Sequence, residues 1–179
     1  MGRVKWFVTP AGALLLSLGI FLDKSNFLLM LLPAVLIHEC GHILFLKLFA
    51  YKIRSVGIGA FGLEIDYTGY LEGLGGFASI AAGPLFGLIY GACCQIPSKE
   101  FWNISGGVSI ALSLFNLLPV IPLDGGRILM LIAGERGRSI SRGISIAIFA
   151  IAAILSLARG WISLLIMASW LLIYNLRNI

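Results

Sequence analysis

The sequence contains two histidines, His38 and His42, which lie four positions apart, with Glu39 directly after the first. In a helix, residues i and i+4 share a face, so both imidazoles can reach one metal ion. Glu39 falls at the flank of that face, where its carboxylate can meet water beside the metal without being a ligand. This H-E-x-x-H spacing is typical of zinc hydrolases. It predicts that His38 and His42 bind zinc and that Glu39 is the catalytic base.

The surroundings of this motif are apolar. Residues 28–37 precede it and residues 43–48 follow it, and together they form a run long enough to be a membrane span. An ionisable residue at the centre of such a span costs about 2.5–3.5 kcal/mol, and these residues therefore indicate a functional site. The alternative is a buried, hydrogen-bonded pair of His and Glu that joins two helices.

A catalytic zinc takes three protein ligands and leaves a fourth position for water. Because the chain has no further histidine, and its three cysteines form no metal-binding motif, we expect the third ligand to be a carboxylate. The acidic residues considered are Asp23, Glu64, Asp66, Glu72, Glu100, Asp124 and Glu135.

Asp124 stands apart from the other acidic residues because of the segment that carries it. Pro119 and Pro122 interrupt an apolar span just before it, and Gly125 and Gly126 follow it. Irregular backbone at membrane depth is tolerated only where it is buried in protein or lines a wet cavity. We therefore predict that Asp124 is the third zinc ligand. The alternative is that this segment is an ordinary helix end, capped by Asp and Gly.

The composition predicts an all-α polytopic membrane protein. The chain is 59% hydrophobic and 12% charged, with a mean hydropathy of +1.00, whereas soluble proteins are about 25% charged. About six transmembrane helices are expected, since a span needs roughly 20 apolar residues. The apolar segments are Trp6–Leu22, Phe27–Tyr51, Leu74–Ile96, Ile104 into Pro119–Pro122, Ile144–Leu157 and Trp161–Leu176.

The basic residues orient these segments, because cytoplasmic loops carry an excess of Lys and Arg. With the N-terminus inside, only Lys24, Lys99 and Arg159 fall on the opposite side, so both termini should be cytoplasmic. We expect no nucleic-acid binding, because the positive charges form short clusters and no continuous stripe. The cytoplasmic set is Arg3, Lys5, Lys47, Lys52, Arg54, Arg127, Arg136, Arg138, Arg142 and Arg177.

The segment Ser55–Tyr67, between the second and third spans, does not have the pattern of a helix. Apolar residues alternate with glycine or acidic residues, and Gly59 and Gly62 fall near the middle, which predicts one or two short strands and a turn. Such a membrane-associated β-hairpin could bind an unwound substrate as an added strand. Ile58 and Gly59 are the predicted substrate-binding residues, and the alternative is an ordinary polar loop.

Taken together, these motifs resemble those of the site-2 protease family of intramembrane metalloproteases. The resemblance rests on His38-Glu39-Cys40-Gly41-His42, on Ala82-Gly83-Pro84, and on Asn116-x-x-Pro119-x-x-Pro122-Leu123-Asp124-Gly125, in this order. It is similar in particular to the sporulation subgroup, which releases a sigma factor from a membrane-tethered precursor.

The resemblance implies one Zn²⁺ per chain, with His38, His42 and Asp124 as ligands, Glu39 as the base and Asn116 as a polar residue that stabilises the oxyanion or orients substrate. It implies a substrate that spans the membrane or is tethered to it, cleaved near the cytoplasmic side of a bacterial cell membrane. We expect residues 1–179 to form a single protease domain without a PDZ or CBS domain. The alternatives are a catalytically inactive metal-binding homologue and a small transporter.

Overall fold

The computed structural model describes residues 4–59, 62–97 and 99–177, and within them the chain forms six helices and three strands. Two compact units are present, Met1–Phe115 and Asn116–Ile179. In chain order the elements are β1 (Lys5–Val8), α1 (Pro10–Leu22), α2 (Phe27–Leu48), β2 (Lys52–Gly59), β3 (Gly62–Thr68), α3 (Gly73–Cys94), α4 (Glu100–Asn116), α5 (Asp124–Arg159) and α6 (Ile162–Arg177).

In the first unit, α2 packs along α3, and buried serine hydroxyls of α4 bind the backbones of both. The hydroxyl of Ser105 donates to the carbonyl of Met30 at 2.8 Å, and that of Ser109 donates to the carbonyl of Gly87, also at 2.8 Å. Small residues allow helices to approach closely in lipid, where apolar burial alone gives no preference for one helix partner over another. In the second unit, α5 packs against α6.

The sheet has the order β1-β2-β3, with β1 parallel and β3 antiparallel to β2. The prediction of strands within Ser55–Tyr67 is confirmed, although Ala60 and Phe61, at the predicted turn, lie outside the described residues. Strand β1 was not predicted. It pairs from Lys5 opposite Ser55 to Val8 opposite Ile58, so β2 is the central strand.

The expected first span, Trp6–Leu22, is wrong at its start, because its first residues belong to β1. The helix begins at Pro10, where Thr9 accepts a hydrogen bond from the Gly12 N–H at 3.0 Å and proline occupies the first turn. Its 13 residues extend about 20 Å, whereas a hydrocarbon core is about 30 Å thick.

The start of α2 is fixed by the carboxylate of Asp23. It accepts hydrogen bonds from the backbone N–H groups of Phe27 at 2.9 Å and Leu28 at 2.8 Å, which have no partner within the helix. The bond from Leu28 is the largest of the effects that lower the pKa of Asp23. Helix α2 then continues through Pro33 to Leu48, close to the predicted span.

The basic region between the predicted fourth and fifth spans is helical, which corrects the prediction that the fifth span begins near Ile144. Helix α5 begins at Asp124 and runs for 36 residues, with one irregular residue, Gly134, at φ 55° and ψ −132°. Arginine is a good helix former, and the pair of Arg138 and Glu135, 3.5 Å apart, adds a little support one turn apart.

The buried and exposed side chains are arranged as expected for a protein in lipid. Many fully buried positions are small or polar, such as Ser105, Ser109, Ser141 and Ser145, while large apolar side chains cover the surface. Within the described residues, three helices are long and apolar enough to cross a membrane, namely α2, α3 and α5. The expected number of about six spans is therefore not reached on length and composition alone.

Candidate metal centre

The two histidines of α2 are both buried and point to one place. His38 is 4% exposed and His42 is 8% exposed, and their Nε2 atoms lie 3.3 Å apart. The ring centroids are 5.0 Å apart with the planes at 75°. The helical spacing of i and i+4 therefore brings the two nitrogen donors together, as the sequence predicts.

A backbone carbonyl of α3 orients the second ring. The Nδ1 of His42 donates a hydrogen bond to the carbonyl oxygen of Ser79 at 2.9 Å. Because a carbonyl oxygen carries no proton, the hydrogen of a neutral His42 must be on Nδ1, and its Nε2 is then the unprotonated nitrogen, the form that binds a metal. Ligating histidines almost always use the second nitrogen in this way.

The ring of His42 also needs the absence of a side chain at Gly83, one turn after Ser79 on α3. A Cβ at Gly83 would overlap the imidazole. Likewise, a Cβ at Gly41 would lie 2.6 Å from the carbonyl oxygen of Ala82, so glycine at that position lets α2 and α3 approach closely. The close packing at these two glycines holds His42 against the α3 backbone.

The positions of the two nitrogen atoms fit zinc. Two ligands at about 2.0–2.1 Å from a tetrahedral zinc ion are about 3.3 Å apart, which is the separation of the two Nε2 atoms here. The donors are also of the right type, since neutral imidazole nitrogen is a common zinc ligand. The chemistry and the spacing of this pair therefore fit the metal that the motif predicts.

Asp124 lies in the second unit, where it is the first residue of α5 and is 7% exposed. A guanidinium nitrogen of Arg127 lies 3.7 Å from its carboxylate, one turn further along the helix. An anionic group at a helix N-terminus is favoured by the helix dipole. Asp124 is thus a buried carboxylate at a fixed helix end, which is the kind of group that a third ligand requires.

The segment before Asp124 is held in place by polar contacts within the second unit. The hydroxyl of Ser141 donates to the carbonyl of Pro119 at 3.0 Å, and that of Ser145 accepts from the N–H of Ile121 at 2.8 Å. Gly125 and Gly126 are needed because the preceding loop lies against them, where a Cβ would overlap backbone carbonyls. The glycines beside the carboxylate therefore serve close packing.

The other predicted site residues are distributed as follows. Glu39 is half-buried on α2 beside His38, and Asn116 is half-buried at the end of α4. Ile58 and Gly59 end β2, where Ile58 lies opposite Val8 of β1 and Leu63 of β3. Since β2 is paired on both sides there, an added strand would have to pair with one of the outer strands.

Ser79 and Gly83 are the residues of this site that the sequence analysis did not identify by role. Gly83 belongs to a recognised motif, and the i, i+4 spacing of small residues along α3 was a visible signal of close packing. The carbonyl of Ser79 has no such signal, because every residue type has one.

Known proteins resemble this chain in sequence and in fold. The family model described as Peptidase family M50 matches residues 71–159. Stage IV sporulation protein FB of Bacillus subtilis is 31% identical over 141 residues, covering 74% of this chain and 49% of that protein. Zinc metalloprotease MJ0392 of Methanocaldococcus jannaschii is 31% identical over 117 residues, covering 60% of this chain and 34% of that protein.

The chain therefore spans about half the length of these relatives or less. A solved structure, the Site-2 Protease from Methanocaldococcus jannaschii, has the same fold, with a TM-score of 0.73, 21% identity, and coverage of 99% of this chain and 93% of that one. Sequence relatives and fold agree on one assignment, and we conclude that this chain belongs to peptidase family M50, the site-2 protease family.

Proposed function

We propose that the chain is an intramembrane zinc metalloprotease that cleaves membrane-spanning or membrane-tethered proteins. The observation that carries the proposal is the buried pair of His38 and His42, whose Nε2 atoms lie 3.3 Å apart within a helix long enough to cross a membrane. A buried pair of metal-ligating residues inside an apolar span is costly and indicates function. Family membership supports both the metal and the reaction.

We propose Asp124 as the third ligand. Its support is its burial at the start of α5, its place in the proline-containing motif and its position inside the region that matches the family model. A set of two imidazoles and one carboxylate is a common catalytic zinc site, in which one position stays open. When bound, zinc would supply a Lewis acid that lowers the pKa of water and polarises a carbonyl.

The residues of the chain would then divide the remaining work. Glu39 holds the proton taken from the attacking water and returns it to the leaving amine, as a general base and then a general acid. Asn116 donates a hydrogen bond from its side-chain amide to the oxygen that becomes negative. The Ser79 carbonyl keeps His42 in one tautomer and one orientation.

The substrate would be bound in an extended conformation at the sheet. Peptide bonds inside a helix are shielded, so a transmembrane substrate must unwind before it can be cut, and strand addition stabilises the unwound form. Because β2 is central, we place the added strand on β3, which has seven residues against four in β1. Ile58 and Gly59 would then contribute to substrate binding indirectly, because β2 holds β3 in position.

This clamp can be tested with proline at Glu64 and, separately, at Ile65 in β3. Neighbouring residues of a strand point their N–H groups to opposite sides, so one variant loses a bond to β2 and the other loses an outward N–H. We expect the outward variant to keep its melting temperature and lose cleavage. Full cleavage by both folded variants would refute strand addition at β3. Two further variants, Ile58→Pro and Gly59→Pro, test the end of β2. Unchanged cleavage by both of them would refute any role of these two residues in substrate binding.

Both termini are proposed to be cytoplasmic, with cleavage near that side, on the basis of the asymmetry of basic residues. The proposed substrates include a membrane-tethered precursor, as the resemblance to the sporulation subgroup implies, and one relative of the chain is named as a sporulation protein. Accessibility of tags at each end in intact and opened cells would test the orientation.

The function is tested with Glu39→Gln in the full chain. Zinc content should stay near one ion per chain, while cleavage of a model transmembrane substrate should fall by about 10²–10⁴-fold, the usual contribution of a general acid–base. Glu100→Gln, an exposed position at the start of α4, is the matched control and should leave both quantities unchanged. Asp124→Asn should lower zinc content.

Two results would contradict the proposal. Cleavage by Glu39→Gln at the wild-type rate would remove Glu39 from the reaction. Zinc binding by the wild-type chain without cleavage of any membrane substrate would instead favour an inactive homologue or a transporter.

A further inference from the structure

The second unit contains a cavity that the proposed protease chemistry does not use. It has a volume of about 230 Å³ and lies among α5, α6 and the loop before α5. Its lining residues are Ile121, Met130, Arg138, Arg142, Tyr174 and Asn175.

The charge of this cavity is positive. Arg138 and Arg142 lie four residues apart on α5 and therefore share a helix face. Among the described residues that line the cavity there is no acidic side chain. Glu135 lies 3.5 Å from a guanidinium nitrogen of Arg138, but both side chains are mostly exposed, so this pair is weak and can be exchanged for a stronger partner. Two guanidinium groups at one cavity match the geometry of a phosphate.

The wall of the cavity is fixed by buried polar contacts. Asn175, which is 2% exposed, donates hydrogen bonds from its amide to the carbonyl oxygens of Ile121 at 3.2 Å and Leu171 at 2.9 Å. The bond to Ile121 attaches the end of α6 to the loop before α5, and the bond to Leu171 lies within α6. The ring of Tyr174 stacks on that of Trp170, with centroids 5.7 Å apart and planes at 18°. The cavity is therefore built before any ligand arrives.

The same residues indicate where in the membrane the cavity lies. Trp and Tyr are enriched at the level of the lipid head groups, and the stacked pair of Trp170 and Tyr174 occupies the last turns of α6. Arg138 and Arg142 provide positive charge, while Met130 and Ile121 provide apolar surface to the same cavity. A ligand that carries a phosphate next to apolar groups fits this combination.

We infer that this cavity is a binding site for the phosphate of an anionic phospholipid, held by Arg138 and Arg142. Basic pockets between membrane helices bind anionic head groups by the same physics. The inference concerns a site separate from the metal ligands and does not depend on the protease reaction.

The test uses the full chain in phosphatidylcholine nanodiscs that contain a minor fraction of phosphatidylglycerol, with retained lipids counted by native mass spectrometry. We expect phosphatidylglycerol to be retained in preference to phosphatidylcholine. Each arginine should contribute about a fivefold preference, so the double variant Arg138→Gln with Arg142→Gln should lose nearly all of it. Arg136→Gln is the matched control, because it removes the same charge from an exposed position outside the cavity lining.

A second variant separates charge from shape. Met130→Trp fills the cavity and keeps both arginines, so it should also lose phosphatidylglycerol, and it decides the question if the double variant does not fold. Competition with inorganic phosphate identifies the source. Binding of phosphate that needs both arginines, without selection of phosphatidylglycerol, would support an anion site for free phosphate. Equal retention of phosphatidylglycerol by the cavity variants and by Arg136→Gln would overturn the inference.

Discussion

The imidazole of His42 fits in its observed position only because Gly83 carries no side chain. In Gly83→Ala, the new Cβ would overlap the ring, and ordinary contacts begin near 3.4 Å, so the ring must retreat. A retreat of about 1 Å greatly exceeds the tolerance of roughly 0.2 Å for a metal–ligand distance. It also strains the hydrogen bond from Nδ1 of His42 to the Ser79 carbonyl.

The expected magnitudes follow from this displacement. Disturbing an orienting partner costs about 10–100-fold in metal affinity, and moving the ligand itself should reach at least the upper end of that range. A misplacement of about 1 Å also costs about 100-fold in rate. Overpacking destabilises the fold by about 1–3 kcal/mol, but alanine is a better helix former than glycine by about 1 kcal/mol. The variant should therefore stay folded while losing zinc and activity.

The matched control is Gly107→Ala in α4, where a Cβ meets nothing within 4 Å. Zinc affinity is measured by competition with a chromophoric chelator, stability by thermal unfolding, and activity on a model transmembrane substrate. We expect Gly107→Ala to match the wild-type chain in all three. If Gly83→Ala binds zinc as tightly as Gly107→Ala does, then the position of His42 does not depend on the space at position 83.

Three further predictions concern the groups that support the site. The pKa of Asp23 is lowered mainly by its hydrogen bond from the Leu28 N–H at the start of α2, so Asp23 stabilises the fold above pH 3.8, and this stabilisation is lost as the pH falls through its lower pKa in the folded chain. Asp23→Asn should therefore show a smaller drop in melting temperature on acidification than the wild-type chain. An equal drop would contradict this. Ser105→Ala removes the bond to the Met30 carbonyl and the contact with the Tyr90 hydroxyl, and it should cost about 0.6–2 kcal/mol, measured by unfolding in detergent. No change would show these bonds to be unimportant for stability. Ser79→Ala should leave zinc affinity near the wild-type value, because His42 donates its hydrogen bond to the backbone carbonyl, which the variant keeps. The Ser79 hydroxyl itself finds no hydrogen-bond partner among the described residues. A large loss of zinc affinity would show that the hydroxyl does take part.

The features that the sequence predicted well are those with a strong local pattern. The face shared by His38 and His42 follows from the helical period, which the long apolar span around them supports. The hairpin follows from the period-two alternation within Ser55–Tyr67 and from its glycines. In both cases a few neighbouring residues contain the whole signal.

Strand β1 could not be predicted in this way. Its four residues, Lys5–Val8, run directly into the apolar residues of α1, so periodicity does not separate strand from helix there. Its partner, Ser55–Ile58, lies about fifty positions downstream, and parallel pairing leaves no turn signal between the two. The helical state of the basic region after Asp124 has another cause: a cluster of arginines occurs in loops as well as in helices, so charge alone does not reveal that arginine here extends α5.

In the metal centre, the side-chain ligands could be predicted from the sequence, but the backbone group that orients one of them could not. Its donors are visible in a sequence because only a few residue types can bind zinc, but the group that orients His42 is a carbonyl that any residue at position 79 would supply. The sequence does contain the two glycines that make this hydrogen bond possible. Gly41 lets α2 approach Ala82, and Gly83 leaves room for the ring of His42. The distance between α2 and α3 determines whether Nδ1 of His42 can reach the Ser79 carbonyl. Because that hydrogen bond keeps the proton on Nδ1 and leaves Nε2 as the metal-binding nitrogen, these two glycines affect metal binding. The small residues of α3 therefore belong to the metal centre as much as to the packing of the membrane helices.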